Sequence, residues 1–320
     1  MTYEAFVEMV PARFKERLGE NTRVCVHTIY KNNSVKKDAL CILENGGNVS
    51  PTIYLRPYYE KLAGGIPLES VLSEIEQEYQ ANRCGAYVDA GEFQDFERVS
   101  PWIAYRLIHY EKNRELLSEI PHRRFLDLAV VYYLLIENHF IGSGTALIYH
   151  TLRELWGVEE ETLFQTARAN TDRLLGIEIT KMDHLIEDLL QKDLLRELGE
   201  NPAACDYAKE DVVELARQIL ESLVAREPCE MFVMSNRSKY HGAAALLNTK
   251  YLWDFAKEKK CGFYVIPSSI HEVILAPMRQ SLSKEELSGL LREINAAQES
   301  GQEFLSNQVY CFDWESGRLQ

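Results

Sequence analysis

Apolar residues recur at helical spacing in the first twenty positions, "MTYEAFVEMVPARFKERLGE". Phe6, Val7, Val10 and Phe14 fall on one face and predict an amphipathic helix. The period then changes to two. "RVCVHTIY" alternates, with Val24, Val26, Thr28 and Tyr30 on one side, "KNNSVKK" is polar, and "DALCILE" returns, which predicts a β-hairpin. "GGNVS" turns again and "PTIYL" predicts a third strand. In "IPLESVLSEIEQEYQ" helical spacing resumes, with Pro67 suited to the first turn and Leu68, Val71, Leu72, Ile75 and Tyr79 on one face. "NRCGAYVDAGEF" breaks the pattern. "WIAYRLIHYEKNRELLSEI" reads as another helix, with Ile103, Leu107, Tyr110 and Leu117 near one stripe and Pro121 ending it.

"FLDLAVVYYLLI" is a continuous apolar run. Its β-branched and aromatic residues predict a central strand, with "HFIGSGT" as the turn and "ALIYH" as the partner. "TLRELWG" predicts a short helix whose end Trp156 and Gly157 anchor. "EEETLFQTARANTDRLL" predicts a longer one, with acids in the first turn where the dipole favours them. Over residues 180–226 two strongly amphipathic helices flank "GENPAAC". The rest reads β-β-α-β-β-α-β: "CEMFVMSN", "AAALL", "NTKYLWDFAKEKK", "GFYVIP", "HEVILAP", "LSKEELSGLLREINAAQ", "QVYCFDWE". Ser283 and Glu286 form a capping box, and Leu282 with Leu287 a hydrophobic staple. The expected class is α+β, with mainly antiparallel sheets, helices packed on one side and an inserted helical hairpin. The expected parts are 1–179, the connector 180–226, and 227–320.

Composition narrows the function classes. Of 320 residues 46% are hydrophobic, ordinary for a chain with a real core, and the formal net charge is −14. Such an acidic balance makes nucleic acid an unlikely partner and speaks against anionic membrane surfaces. The longest apolar run, 128–136, is far short of the ~20 residues that span a bilayer. The N-terminus lacks the apolar core of a signal peptide. Cysteines 25, 41, 84, 205, 229, 261 and 311 are widely spaced with no C-x-x-C, which fits reduced thiols in a cytoplasm. No H-E-x-x-H, EF-hand loop or close Cys/His cluster points to a metal, and no glycine-rich phosphate loop points to a nucleotide. The expectation is a cytoplasmic protein with no cofactor and no metal.

Five stretches together resemble an uncharacterised domain family of Gram-positive anaerobic bacteria: "NVSPTIYLRPYY", "PHRRFLDLAVVYYLLIEN", "LWGVEEETLFQTARAN", "MFVMSNRSKYHGAAALL" and "FYVIPSSIHEVILAP". The "AVVYYLL…LWGVEEETL" and "PSSIHEVILAP" parts are similar to a second uncharacterised bacterial family. The resemblance implies a cytoplasmic bacterial protein and carries over no catalytic residue. Residues 180–226 are longer than the family pattern and read as a variable insertion.

Three stretches carry candidate chemistry. In "FYVIPSSIHEVILAPM" a strand beginning at His271 would put His271 and Glu272 on opposite faces. The two would act together only if His271 were still in the turn. Ser268 and Ser269 then close that turn, or one of them serves as a nucleophile with His271 as base. "PHRRFLD" concentrates His122, Arg123 and Arg124, which suit a carboxylate or phosphate or else pair with surrounding acids. "SNRSKYHG" places Asn236 and His241 in one loop. No catalytic set emerges. The leading expectation is a non-enzymatic module that binds a protein or peptide partner through strand-end loops or the helical hairpin. The alternative is a hydrolase of small molecules or peptides at the 268–272 turn.

Overall fold

The computed structural model describes residues 1–19, 21–44, 50–83, 90–138, 142–187, 230–278, 283–297 and 301–320. The class is α+β: among the described residues, helices accompany three mainly antiparallel sheets. Two compact units are built from alternating segments. The first holds Met1–Ala104, Lys112–His122 and Tyr132–Asn170, and the second Tyr105–Glu111, Arg123–Val131 and Thr171–Gln320. They follow spatial contact rather than chain order. Most of the predicted helical hairpin lies outside the described residues; its first residues, 182–187, are helical.

In the first unit α1 (Tyr3–Leu18) starts where Thr2 Oγ1 accepts the Ala5 N–H at 3.3 Å, and it buries Phe6, Val10 and Phe14. Strands β1 (Thr22–Tyr30) and β2 (Lys36–Glu44) pair antiparallel from Thr22↔Glu44 to Tyr30↔Lys36, and β3 (Ile53–Tyr54) joins β2. Helix α2 (Arg56–Ala63) follows directly. Helix α3 (Leu68–Ala81) buries Val71, Leu72, Ile75 and Tyr79, four of the five stripe residues. With Leu40, Ile42, Ile53 and Leu55 these side chains form one core. Each fully buried side chain of this size contributes roughly 1.5–3 kcal/mol. Tyr79 ends in a hydrogen bond to Glu44 Oε1 at 2.8 Å; burial first, and then that bond, push its hydroxyl pKa up to about 12.

Helix α4 (Phe96–Val99) follows. The stretch after Trp102 is not one helix: it is β4 (Ile103–His109), and α5 (Arg114–Glu119) begins only later. Ile103, Ala104, Tyr105, Leu107 and Ile108 are all buried, as in a strand covered on both faces. A strand of that kind has no polar face, so its apolar positions also fit a helical stripe. Strands β5 (His122–Phe125) and β6 (Leu128–Asn138) follow, and β6 is the predicted central strand, buried continuously from Leu128 to Leu134. Strand β7 (Gly142–Leu147) pairs with β6 from Tyr133↔Leu147, so Gly142 to Thr145 belong to a strand rather than to a turn. The order is β4-β6-β5, with β7 also on β6. Helix α6 (His150–Trp156) ends at left-handed Gly157, with Trp156 Nε1 donating to the Phe93 carbonyl at 2.8 Å. Helix α7 is Glu160–Leu175.

The second unit holds a six-stranded sheet. Its strands are β8 (Glu178–Lys181), β9 (Phe232–Ser235), β10 (Phe263–Ile266), β11 (Val273–Pro277), β12 (Tyr310–Asp313) and β13 (Arg318–Leu319), in the order β13-β12-β10-β11-β9-β8. "AAALL" is not a returning strand. Both edges of β9 are taken, by β8 and β11, and Gly242–Leu247 coils instead into a buried 3₁₀ turn. Helices α8 (Thr249–Lys259) and α9 (Lys284–Ala297) stand where helical spacing put them. The capping box is formed: Ser283 Oγ accepts the Glu286 N–H at 3.2 Å, and Glu286 Oε2 accepts the Ser283 N–H at 2.8 Å. Leu282 lies outside the described residues. Leu287 and Leu291 of α9 pack on Ile266, Ala276 and Val309.

Candidate functional site

Two of the three singled-out stretches meet at the end of the six-stranded sheet. Strand β9 pairs with β11 through Met234↔Val273, so the loop leaving β9 abuts the turn entering β11. Gly242 makes the approach possible. A Cβ there would lie 2.1 Å from Ser235 Oγ, 2.4 Å from the His271 carbonyl and 2.7 Å from the Asn236 nitrogen. Ser235 Oγ donates to the His271 carbonyl at 2.7 Å, and the His241 N–H donates to His271 Nδ1 at 3.2 Å. The two imidazoles stack, with centroids 5.7 Å apart and planes at 16°. Asn236 closes the loop: its Nδ2 donates to the Tyr240 carbonyl at 2.8 Å, and its Oδ1 accepts from Ser238 Oγ at 2.9 Å.

His241 is buried and left-handed, at φ 56° and ψ 28°. That conformation costs a non-glycine residue roughly 1–2 kcal/mol, and the surrounding contacts hold it. Arg106 Nη1 of β4 stands 2.8 Å from its Nε2. A guanidinium only donates, so Nε2 is the acceptor and the ring is neutral with its proton on Nδ1. Burial, then the Arg106 charge, then His271, pull the His241 pKa down to about 2.

The turn itself satisfies its own groups. Strand β11 begins at Val273, so His271 and Glu272 both lie in the turn and strand alternation does not divide them. Ser268 Oγ donates to the Glu272 carbonyl at 3.1 Å, and Ser269 Oγ accepts the His271 N–H at 3.0 Å. The carboxylate beside His271 Nε2 is that of Glu303, at 4.0 Å. Among the described residues the Glu272 side chain makes no hydrogen bond or ion pair. A serine nucleophile needs its hydroxyl on a base nitrogen that can accept a proton. Here these two hydroxyls engage backbone groups, and Nδ1 already accepts the His241 N–H.

The third stretch lies on β5, where neighbouring side chains alternate, so Arg123 and Arg124 face opposite ways. Arg124 Nε donates to the Leu126 carbonyl at 3.2 Å, and its guanidinium sits 4.6 Å over the Tyr110 ring. His122 Nδ1 donates to the Ile120 carbonyl at 3.1 Å. Arg237 and Lys239 stand 3.8 and 3.7 Å from the Glu178 carboxylate, which offsets part of their charge. Among the described residues no group of three or more His, Cys, Asp or Glu is placed to hold a metal, and no helix is long and apolar enough to cross a membrane.

The first unit holds a groove that no sequence motif marks. Its volume is about 360 Å³, within the range of ligand sites, and it is lined by Tyr30, Lys31, Ser34, Glu115, Leu116, Ser118, Glu119 and Tyr149. One wall is the β1–β2 hairpin tip. Asn33 and Ser34 are both left-handed, at φ 60° and 58°, as the central residues of a type I′ turn. Fully buried Asn113 fixes that turn: its Oδ1 accepts the Asn33 N–H at 2.7 Å, and its Nδ2 donates to Asn33 Oδ1 at 3.0 Å. Ser34 Oγ donates to the Lys112 carbonyl at 2.8 Å. The other wall is α5, where Glu115 and Glu119 sit one helical turn apart. Tyr30 and Tyr149 stand 52% and 46% exposed, high for side chains of this size. Lys31 Nζ is drawn over the Tyr54 ring at 5.1 Å, while neither Glu115 nor Glu119 makes an ion pair among the described residues. Among the charged lining side chains the two carboxylates, Glu115 and Glu119, outnumber the one ammonium group, Lys31.

The chain belongs to a family of unknown function, DUF5688, which matches residues 3–314, nearly the whole length. No curated protein and no solved structure matches it significantly.

Proposed function

We propose that this member of a family of unknown function is a non-enzymatic binding protein whose groove between the β1–β2 tip and α5 holds a partner peptide segment carrying Lys or Arg. The observation that carries this reading is the pair of carboxylates Glu115 and Glu119, which make no ion pair among the described residues, set beside two exposed tyrosines in a groove of about 360 Å³. Carboxylates and ring faces both attract ammonium and guanidinium groups. Lys36 Nζ already lies 5.1 Å over the Tyr30 ring, the same kind of contact made within the chain. Free thiols at Cys25, Cys41, Cys261 and Cys311 support a reducing compartment, which we take to be a bacterial cytoplasm. A hydrolase at the 268–272 turn has less support, because its serines and His271 Nδ1 are engaged in closing the loops.

The test is fluorescence anisotropy with three labelled peptides of one length: Lys/Arg-containing, neutral and Glu-containing. Binding of the cationic peptide alone is expected, weakening as salt rises. Glu115→Gln with Glu119→Gln should weaken it severalfold, at roughly 0.2–1 kcal/mol for each exposed pair. Equal binding of all three peptides, or an unaffected double variant, would sink the reading.

A further inference from the structure

The β1–β2 hairpin carries a second chemistry on its other face. Leu40 and Ile42 of β2 point into the core, so alternation puts Cys41, and with it Cys25 and His27 of β1, on the outer face. Cys25 and Cys41 are direct register partners. The Lys31 N–H donates to the Val35 carbonyl at 2.8 Å, and every second pair back along an antiparallel ladder is hydrogen-bonded. Counted that way, Cys25 and Cys41 form a hydrogen-bonded pair, whose Cα atoms stand about 5.5 Å apart. This separation falls inside the range a disulfide bridges. Both thiols are free and partly exposed.

The two sulfurs differ. His27 Nε2 lies 3.2 Å from Cys25 Sγ, and exposed Arg23 stands two residues away on the same face. His27 Nε2 is within reach of the Cys25 S–H and can take its proton as the sulfur attacks. Burial, and then Cys25 itself, push the Cys41 thiol up. Cys25 is placed to attack and Cys41 to resolve.

We propose that Cys25 and Cys41 are a reversible thiol pair that reduces a hydroperoxide and closes as a cross-strand disulfide. The Cys25 thiolate attacks one peroxide oxygen, so an S–O bond forms as the O–O bond breaks. The departing oxygen takes a proton and leaves as water or an alcohol. The Cys41 sulfur then attacks the Cys25 sulfenic acid, so the S–S bond forms as the S–O bond breaks, and the hydroxyl leaves as water with the Cys41 proton. Two electrons pass from the thiols to the peroxide, and a dithiol reductant reverses the closure by exchange. This site is independent of the groove reading, although the same hairpin supplies Tyr30, Lys31 and Ser34 to that groove.

The experiment exposes the folded full chain to hydrogen peroxide, blocks remaining thiols by alkylation and maps the linked peptides by mass. A Cys25–Cys41 linkage that a dithiol reverses is expected. Cys41→Ser should accumulate a sulfenic acid on Cys25, trapped by dimedone, and His27→Ala should slow the Cys25 reaction about tenfold. Linkage of Cys25 to any other cysteine, or no linkage, overturns the proposal. So does a Cys25 that reacts no faster than Cys261 and Cys311. If Cys41→Ser fails to fold, linkage and relative rates in the wild type decide the matter alone.

Discussion

The backbone N–H of His241 donates to Nδ1 of His271 at 3.2 Å, joining loops whose residues lie 30 positions apart in the chain. His241 is only 4% exposed, so water cannot replace the acceptor. Removing it should cost about 1–3 kcal/mol. His271→Ala is therefore expected to destabilise the protein by that amount and to speed amide exchange across residues 236–243. His271→Asn places a side-chain oxygen near the position of Nδ1 and should recover most of the loss, whereas His271→Gln places its amide further out and should not. Chemical unfolding and hydrogen exchange on the three variants make the check. Equal behaviour of Ala and Asn would mean that the hydrogen bond contributes nothing.

The neutral ring of His241 predicts a dependence on pH. Its folded pKa is about 2, well below the ordinary 6.5, because burial and Arg106 oppose its charge. Below pH 6.5 the unfolded chain binds a proton that the folded chain refuses. Stability from this group is thus fully present above pH 6.5 and is lost progressively as pH falls towards the folded value. The expected slope is roughly 1.4 kcal/mol per pH unit between pH 6 and pH 4. His241→Asn tolerates the left-handed backbone and does not titrate, so it should start less stable at pH 7.5 yet lose less over that window. Parallel wild-type and variant slopes would remove His241 as the source.

Gly242 should tolerate no side chain. Its Cβ position is blocked by Ser235 Oγ, the His271 carbonyl and the Asn236 nitrogen, two of them backbone. Gly242→Ala must push β9 and the turn apart, and a loss above about 3 kcal/mol is expected, enough to deplete soluble protein. Gly289 is the control. It lies inside α9 with nothing within 4 Å of its Cβ position, so Gly289→Ala should stabilise by about 0.8–1 kcal/mol. Thermal unfolding of the pair reads both signs in one experiment.

What could be read from the chain follows from which elements keep a polar face. α1 and α3 each present solvent on one side, so Phe6, Val10 and Phe14, and Val71, Leu72, Ile75 and Tyr79, stood out as stripes and are buried. β4 is buried on both faces, and its period carried no signal able to separate strand from helix. The turn at His271 was legible as chemistry but not as geometry. Its carboxylate neighbour, Glu303, arrives from 32 positions away, while adjacent Glu272 takes no part. The groove was hidden for another reason. Alternation put Tyr30 on the same face as Val24 and Val26, but the core ends before the hairpin tip, and the ring stands 52% exposed. The sole local cue to the other wall was Glu115 and Glu119 spaced by four, flanking "LLS".

That wall and the hairpin tip meet through Asn113, and this gives the last prediction. Two consecutive left-handed residues, Asn33 and Ser34, cost the tip roughly 2–4 kcal/mol before any contact is counted. Asn113, fully buried, answers with a bond to the Asn33 backbone and another to its side chain. Asn113→Ala removes both and leaves the Asn33 N–H to find water, at about 2 kcal/mol. Asn113→Asp keeps an oxygen for that N–H but buries an unpaired carboxylate and turns an oxygen towards Asn33 Oδ1, so it should cost at least as much. If the tip forms one side of a ligand groove, the loss must appear in cationic-peptide affinity too, with the wild type above both variants. Stability and affinity falling together would mark Asn113 as the residue that holds the groove in shape. Affinity unchanged while stability falls would detach the hairpin tip from binding and leave α5 as the whole of the recognition surface.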